Sequence, residues 1–103
     1  MAMFLVERRR SGPEWDAARP MEEQAGWVGH AAFMDALVAS GFIVLGGPLE
    51  DEHRVALVVE AGSADDVRST LAADPWSGTH LSEPTVELWT IRLDGRNTPE
   101  RTR

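Results

Sequence analysis

The chain has 103 residues, with 17 acidic against 10 basic side chains and a formal net charge of −7. This length fits one domain, and the acidic balance argues against nucleic acid as a partner. Cys, Lys and Tyr are absent, which excludes disulfides, thiolate zinc sites, cysteine nucleophiles and Schiff-base lysines. Carboxylates and three histidines therefore remain as the groups available for proton transfer.

The first half of the chain predicts a strand, a long helix and a second strand. The first strand lies around residues 4–6, a short apolar run that charged residues follow directly. This order is wrong for a secretory signal, so we expect a cytoplasmic protein without a membrane segment. Pro20 suits the first turn of a helix over residues 21–40, which Gly41 ends. Residues 42–45 then predict the second strand.

The second half predicts a strand, a helix and a last strand. The third strand, residues 54–60, is expected to form a hairpin with the second. Ser63 and Asp66 have the spacing of a capping box. The helix that they open ends near Asp74, because a proline follows. The last strand is predicted over residues 85–93.

The element order β-α-β-β-α-β predicts a ferredoxin-like split βαβ fold of the α+β class, a four-stranded antiparallel sheet with two helices on one face. We expect a single domain over residues 1–95 and a polar tail over residues 96–103. Two helices cover only one face of the sheet, yet the second and third strands are apolar on both faces. We therefore predict a homodimer that packs sheet face against sheet face, as a two-chain α/β barrel.

The candidate chemistry centres on His30, which shares a helical stripe with Phe33, Met34 and Leu37. A buried imidazole without a hydrogen-bond partner costs about 1–3 kcal/mol. Asp74 is predicted at the C-terminal end of a helix, where the helix dipole disfavours an anion. The simpler interpretations are a structural histidine bonded to backbone and a solvated aspartate in a turn. The sharper one is a carboxylate that orients His30 and fixes its tautomer.

Four tryptophans are conspicuous in a chain without tyrosine. Trp27 and Trp76 lie close in sequence to the candidate histidine and aspartate. They are interpreted either as packing or as walls of an apolar pocket around that pair, which would bind a small molecule. Trp15, in a loop, is a third candidate for the same pocket. Trp89, in the last strand, is predicted to lie in the core or in the dimer interface.

Gly46, Gly47 and Pro48 follow the second strand. The simpler interpretation is a turn that needs positive φ and stops the sheet. The functional one is a substrate-binding corner whose amides hold an oxyanion. The other two histidines lack the spacing of a metal site, so we predict neither a metal nor a cofactor. The arginine run at residues 8–10 is interpreted as an edge or solvated charge run.

These motifs resemble the YCII-related (YciI-like) family over about residues 3–93. The resemblance is carried by Trp27-x-x-His30-Ala31-x-Phe33-Met34-x-x-Leu37, Gly41-Phe42-Ile43-Val44-Leu45-Gly46-Gly47-Pro48-Leu49 and Asp74-Pro75-Trp76, and, for a subgroup, by Gly12-Pro13-x-Trp15-Asp16. It implies a dimeric α/β barrel and an active His–Asp pair that maps onto His30 and Asp74. A few relatives in this family act on small ring compounds, one of them as a dehydrochlorinating enzyme.

Two functions of different classes stay open at this point. The first is a small-molecule enzyme of lyase, isomerase or hydrolase type, in which His30 is the general acid–base and Asp74 orients it. The second is a non-catalytic module, in which the dimer binds a metabolite or another protein. The first is the function we predict. The absence of a nucleophile-elbow motif and of a nucleotide-binding fingerprint is the argument for the second.

Overall fold

A computed structural model describes residues 1–96 of the chain, in which a four-stranded antiparallel sheet has the strand order β2-β3-β1-β4. Its elements are β1 (Ala2–Arg9), α1 (Trp27–Ala39), β2 (Ile43–Pro48), β3 (Arg54–Ala61), α2 (Ala64–Ala72) and β4 (Thr85–Leu88). This is the predicted α+β, ferredoxin-like arrangement, which is confirmed. Of the predicted tail, residues 97–103 lie outside the described part.

The core lies between the two helices and one face of the sheet. Alternation along the central strands turns every second side chain toward the helices, and α2 adds two more buried side chains. The buried cluster consists of Phe4, Val6, Ile43, Leu57, Val59, Ala61, Val67 and Leu71. The predicted N-cap is present at the start of α2, where the Asp66 amide donates to Ser63 Oγ at 3.1 Å, which is one of the two hydrogen bonds of a capping box. Neither α-helix of the described residues has the length and hydropathy to span a lipid bilayer.

The helix predicted over residues 21–40 is shorter than expected at its start. Residues Met21–Glu23 form a single 3-10 turn, and α1 begins only at Trp27. The break is at Gly26, whose φ of 77° lies in the left-handed region and interrupts a continuous helix. The predicted end is correct, because Gly41 has φ of 86° directly after the last turn.

The predicted corner at Gly46, Gly47 and Pro48 is wrong, because these residues form the second half of β2. Within residues 1–96, the glycines with positive φ do not include Gly46 or Gly47. A register shift after Ile43 lets the strand continue beside β3. Gly46 instead lets the backbone of β2 lie close to the Leu57 side chain, since a Cβ on residue 46 would lie 2.5 Å from Leu57 Cδ2. Pro48 is tolerated because β2 is an edge strand.

The last strand is also shorter than predicted, since β4 ends at Leu88 instead of residue 93. Leu88 lies opposite Phe4, and the Trp89 amide still donates to the Met3 carbonyl at 2.9 Å. Because β1 begins at Ala2, only the residues from about 91 onward run past its start. Trp89 is 44% exposed. Its predicted place in the core is therefore wrong, and its place in a dimer interface stays a prediction.

Candidate functional site

The helices bring His30 and Asp74 together across the covered face of the sheet. His30 lies one turn into α1 and is that helix's buried residue, while Asp74 lies buried two residues after α2. His30 Nδ1 is 2.8 Å from Asp74 Oδ1 and 3.0 Å from Oδ2. The two side chains are thus in direct contact, as the sharper interpretation of the sequence required. Their role in catalysis is a separate question.

The carboxylate fixes the tautomer of the imidazole. An ionised carboxylate only accepts hydrogen bonds, so Nδ1 of His30 carries the proton that points at Asp74. Nε2 is then the acceptor nitrogen of the neutral ring. Among residues 1–96, no group forms a hydrogen bond with Nε2. Asp74 is held in turn by its own loop, since Oδ1 also accepts from the Trp76 amide at 2.9 Å.

The indole ring of Trp76 stacks against the imidazole ring of His30. Its ring is nearly parallel to that of His30, with centroids 4.0 Å apart and an interplanar angle of 7°. The indole Nε1 donates to the Ala25 carbonyl at 2.9 Å, which ties the loop after α2 to the start of α1. A Cβ on Gly26 would lie 3.3 Å from this nitrogen, so the glycine that breaks the helix also leaves room for the indole.

A cavity of about 410 Å³ opens beside this pair, between α1 and the sheet. It is lined by His30, Asp74, Trp27 and Trp76, and by the three β2 residues Gly46, Gly47 and Pro48. Its remaining apolar walls include Met34, Ile43, Val55, Leu57, Leu71 and Leu81. The structure therefore brings seven of the eight predicted site residues to one cavity. Its volume is in the range of small-molecule sites.

The eighth residue, Trp15, does not line this cavity. It stands edge-on to Trp76 with ring centroids 5.7 Å apart, and the Arg10 guanidinium carbon lies 5.0 Å from its ring centre. Trp15 lines a second depression, between the loop that joins β1 to α1 and the β2–β3 hairpin. Its contact with the site is therefore indirect, through the indole that supports His30.

Arg8 is a site residue that the sequence interpretation missed. It was assigned to an edge or solvated run, but β1 is a central strand and Arg8 is only 3% exposed. Its Nε donates to the Ser82 carbonyl at 2.8 Å and its Nη2 to Ser77 Oγ at 2.8 Å, and its side chain lines the cavity. The period-2 alternation that buries Phe4 and Val6 also buries Arg8. The sequence shows that these three residues share one face of the strand, but it does not show that this face is the buried one.

His80 was missed as well. Its ring stacks on Trp76 with centroids 4.7 Å apart and an interplanar angle of 20°, and its Nδ1 lies 3.0 Å from Thr79 Oγ1. No sequence signal indicated this, because His80 lies in an irregular loop. Within residues 1–96 no cluster of three or more His, Asp or Glu side chains is arranged to hold a metal ion.

Known proteins resemble this chain in sequence and in fold. No protein-family model matches it. The uncharacterized protein YjpA of Bacillus subtilis (strain 168) is 33% identical over 64 residues, which are 62% of this chain and 75% of YjpA. A solved structure of 5-chloro-2-hydroxyhydroquinone dehydrochlorinase (TftG) from Burkholderia phenoliruptrix AC1100, in complex with 2,5-dihydroxybenzoquinone, matches with a TM-score of 0.59 and 27% identity. That match covers 85% of this chain and 93% of the dehydrochlorinase.

Proposed function

This chain belongs to the same family as the uncharacterized protein YjpA of Bacillus subtilis, and we propose that it is a YciI-like, cytoplasmic small-molecule enzyme that uses His30 and Asp74 as an acid–base pair. The observation that carries the proposal is the contact of His30 Nδ1 with both Asp74 oxygens, at 2.8 and 3.0 Å, in the wall of a cavity. The similarity in fold and sequence to TftG, an enzyme, supports it.

The proton moves at His30 Nε2. Because Asp74 accepts the Nδ1 proton, the other nitrogen is the one that takes a proton from the substrate. The ring is then a cation between a buried carboxylate and the face of an indole 4.0 Å away. Both neighbours stabilise positive charge, the carboxylate by Coulomb attraction and the indole by its π electrons. Nε2 later returns the proton to the leaving group or product.

The reaction class that fits best is a lyase-type elimination on a small oxygenated ring. In a dehydrochlorination, the activity named for TftG, a proton and a chloride leave as HCl. The electron pair of the broken bond to hydrogen becomes part of a new π bond, and chloride departs with the C–Cl pair. In this chain His30 would take the proton, while Trp27 and Trp76 supply flat apolar walls for a ring.

Chloride release from 5-chloro-2-hydroxyhydroquinone tests the proposal. We expect turnover by the natural chain and a loss of about 10²–10⁴-fold in kcat for His30→Asn, since that is the usual contribution of a general acid–base. His53→Asn, which changes an exposed histidine in the β2–β3 hairpin, is the matched control and should leave the rate unchanged. A His30→Asn variant as fast as the natural chain would contradict the proposal. Ligand binding without any turnover would favour the non-catalytic module instead.

The second part of the proposal is a homodimer through the face of the sheet that the helices leave uncovered. Leu45, Val58 and Leu5 lie side by side on that face, across three neighbouring strands. Leu45 is 58% exposed, and the other two are partly exposed. Exposed aliphatic side chains in adjacent strands favour burial against a second copy. The resemblance of the sequence motifs to the YciI-like family, which implies a dimeric α/β barrel, supports this arrangement.

Light scattering after size-exclusion chromatography tests the dimer. Leu45→Glu places a charge in the centre of the apolar row and is expected to convert a dimer into a monomer. Val28→Glu adds the same charge on α1, where the side chain is 82% exposed and lies away from the sheet, so it should not change the mass. A natural chain that elutes as a monomer at micromolar concentration would contradict the dimer without touching the proposed chemistry.

A further inference from the structure

Arg8 is a buried cation with one end unsatisfied. Its Nε and Nη2 donate to the Ser82 carbonyl and to Ser77 Oγ, both at 2.8 Å. Its Nη1 is buried and has no hydrogen-bond partner among residues 1–96. Arg8 also lines the same cavity as His30. A guanidinium has five N–H donors in a fixed fork, so two hydrogen bonds leave most of its capacity unused.

A cation in this position is unfavourable for the fold alone. Burial lowers the pKa of Arg8, and the nearby carboxylates of Asp74 and Glu83 act in the opposite direction. The group nevertheless stays charged, because a guanidinium does not lose its proton in proteins. Buried donors without partners are rare in folded proteins, and such donors occur at sites that bind something.

Charge balance for Asp74 is the simplest alternative role for Arg8. Within residues 1–96, however, the two side chains form no ion pair. Both oxygens of Asp74 are already engaged, with His30 Nδ1 and the Trp76 amide. Attraction over a longer distance accounts for part of the energetics of Arg8. It does not provide a partner for Nη1.

We propose that this cavity takes small planar acids and that Arg8 binds their anionic oxygen. The inference rests on the proposed function for the place of the ligand, which is the cavity beside His30, and adds the charge and shape of the ligand. The acid is a ring that carries a carboxylate or a ring-bound oxyanion. Its oxygen meets Arg8 on β1, while the ring lies between the apolar walls near Trp27 and Trp76. Because Nη1 is itself buried, contact with the oxygen requires the neighbouring side chains to move.

The arrangement would assign separate roles to the Arg8 guanidinium and to the neutral His30 imidazole. Arginine is suited to the anion, because its planar fork matches carboxylate geometry and its charge does not change with pH. The imidazole of His30 is then left to transfer a proton at another atom of the same ring. In an elimination from an oxygenated ring, negative charge builds up on the ring oxygens as the proton leaves, and Arg8 would stabilise it.

Isothermal titration calorimetry with benzoate, the anion of 2,5-dihydroxybenzoquinone, benzamide and inorganic phosphate tests the proposal. We expect at least one of the two ring anions to bind at least about tenfold more tightly than neutral benzamide, as a charge-assisted hydrogen bond predicts. Arg8→Met is expected to abolish this preference. Arg68→Met removes the same charge from the exposed surface of α2 and should keep it.

The outcomes separate the sources of the anion. Tight binding of benzoate alone identifies carboxylic acids, and tight binding of the quinone anion alone identifies ring oxyanions; both outcomes support the proposal. Equal binding of benzamide and both anions overturns it, and so does an Arg8→Met variant that keeps the preference. Inorganic phosphate that binds as tightly as the ring anions overturns the planar-acid class.

Two further variants keep the test independent of folding and of catalysis. If thermal melting shows that Arg8→Met does not fold, Arg8→Lys replaces it, because lysine keeps the charge and loses the fork, and the preference should then fall without vanishing. His30→Asn should keep the anion preference. If that variant also keeps full turnover, the proposed acid–base function has failed while the role of Arg8 stands.

Discussion

The sheet face that the helices cover has two ends of different composition. One is an apolar end, called the aliphatic end below, and the other is a polar end around Arg8, His30 and Asp74. At one end, Phe4, Val6 and Val59 pack into a close aliphatic and aromatic core. At the other end, the same strand β1 contributes Arg8 to a cavity that also holds His30 and Asp74. One alternating strand thus passes from core to site within a few residues. The cavity therefore lies where close packing between the helices and the sheet ends.

The polar end is satisfied only in part. The imidazole and the carboxylate satisfy each other, so their burial is compensated. Arg8 Nη1 and His80 Nε2 are buried without partners among residues 1–96. Each such group costs about 1–3 kcal/mol when nothing binds it. The aliphatic end therefore stabilises the fold, while the polar end contains two buried donors or acceptors, of which Arg8 lines the cavity where we propose a ligand binds.

The largest expected effect contrasts two positions on the same face of β1. Phe4→Ala should lower the free energy of unfolding by about 3–5 kcal/mol, because it leaves a cavity in the packed core. Arg8→Met should lower it by about 1 kcal/mol or less, since two lost hydrogen bonds are offset by removal of a buried charge. Urea denaturation at one protein concentration measures both. Equal losses would make Arg8 a structural residue and remove the distinction between the two ends.

The second effect concerns the buried pair. Asp74→Asn should lower the free energy of unfolding by about 1–3 kcal/mol, because the new amide group brings buried N–H donors without acceptors. Nitrogen NMR of His30 should also show a smaller population of the Nδ1-protonated tautomer. Asp65→Asn, on the exposed first turn of α2, is the control. It should leave the His30 tautomer unchanged and lower the free energy of unfolding by no more than about 0.3–1 kcal/mol, the usual contribution of a carboxylate at a helix N-terminus. An unchanged tautomer in Asp74→Asn would show that the carboxylate does not orient the ring.

The third effect concerns Gly26, the residue with positive φ that directly precedes α1. Gly26→Ala should cost about 1 kcal/mol, because alanine is strained at φ of 77° and its Cβ would approach Trp76 Nε1. Gly29→Ala should have the opposite sign and stabilise by about 0.5–1 kcal/mol, since this glycine lies inside α1 with only an ordinary contact at 3.7 Å. Thermal melting compares them. Two shifts of the same sign would contradict the explanation for the break in the helix.

The smallest expected effect is a pH-dependent change in stability at Asp51, in the hairpin between β2 and β3, which belongs to neither end of the covered face. A hydrogen bond from Arg54, together with the backbone amides of His53 and Arg54, holds the pKa of Asp51 well below its usual range. A depressed pKa in the folded state stabilises the protein above the unfolded-state value of about 3.9, and this contribution is lost as the pH falls through the folded-state pKa. Asp51→Asn should therefore be slightly less stable at neutral pH and lose less stability in acid.

Acid titration of stability, followed by circular dichroism, measures this difference. The effect should be small, because Asp51 lies in the exposed hairpin and solvent screens the pair. If the free energy of unfolding falls equally with decreasing pH in the two proteins, the Asp51–Arg54 pair does not contribute to stability. A large difference would contradict the idea that the energetics of this chain are concentrated on the covered face.

Local patterns predicted the parts of the fold that depend on local chemistry. The period of apolar residues identified the strands, Ser63 identified the start of α2, and Gly41 identified the end of α1. The same logic put His30 on an apolar face. Patterns failed at Gly26 and at Gly46, because a glycine is equally compatible with a helix break, a turn or a close contact. Only its neighbours in space decide among the three.

Arg8 is a second case in which a local pattern could not predict the environment of a residue. Alternation along β1 separates Arg8 from the arginines on either side, but it does not say which face the helices cover. The packing of the helices decides that face, and the strand order decides that β1 is a central strand and not the edge strand that a charge run can indicate. A run of three arginines therefore gave a wrong prediction for its first member and a reasonable one for Arg9, which is exposed.

The sequence by itself determined the order of the elements, the apolar setting of His30 and the identity of its candidate partner. Only the tertiary structure decided that the imidazole meets a carboxylate 44 residues away, that Trp76 stacks beneath it, and that Arg8 lines the same cavity. The physical reason is that local sequence patterns report on neighbouring residues, whereas these contacts join residues far apart in the chain. Periodicity sets which side of each element is apolar, whereas contacts between elements depend on the strand register and on how the helices cross the sheet.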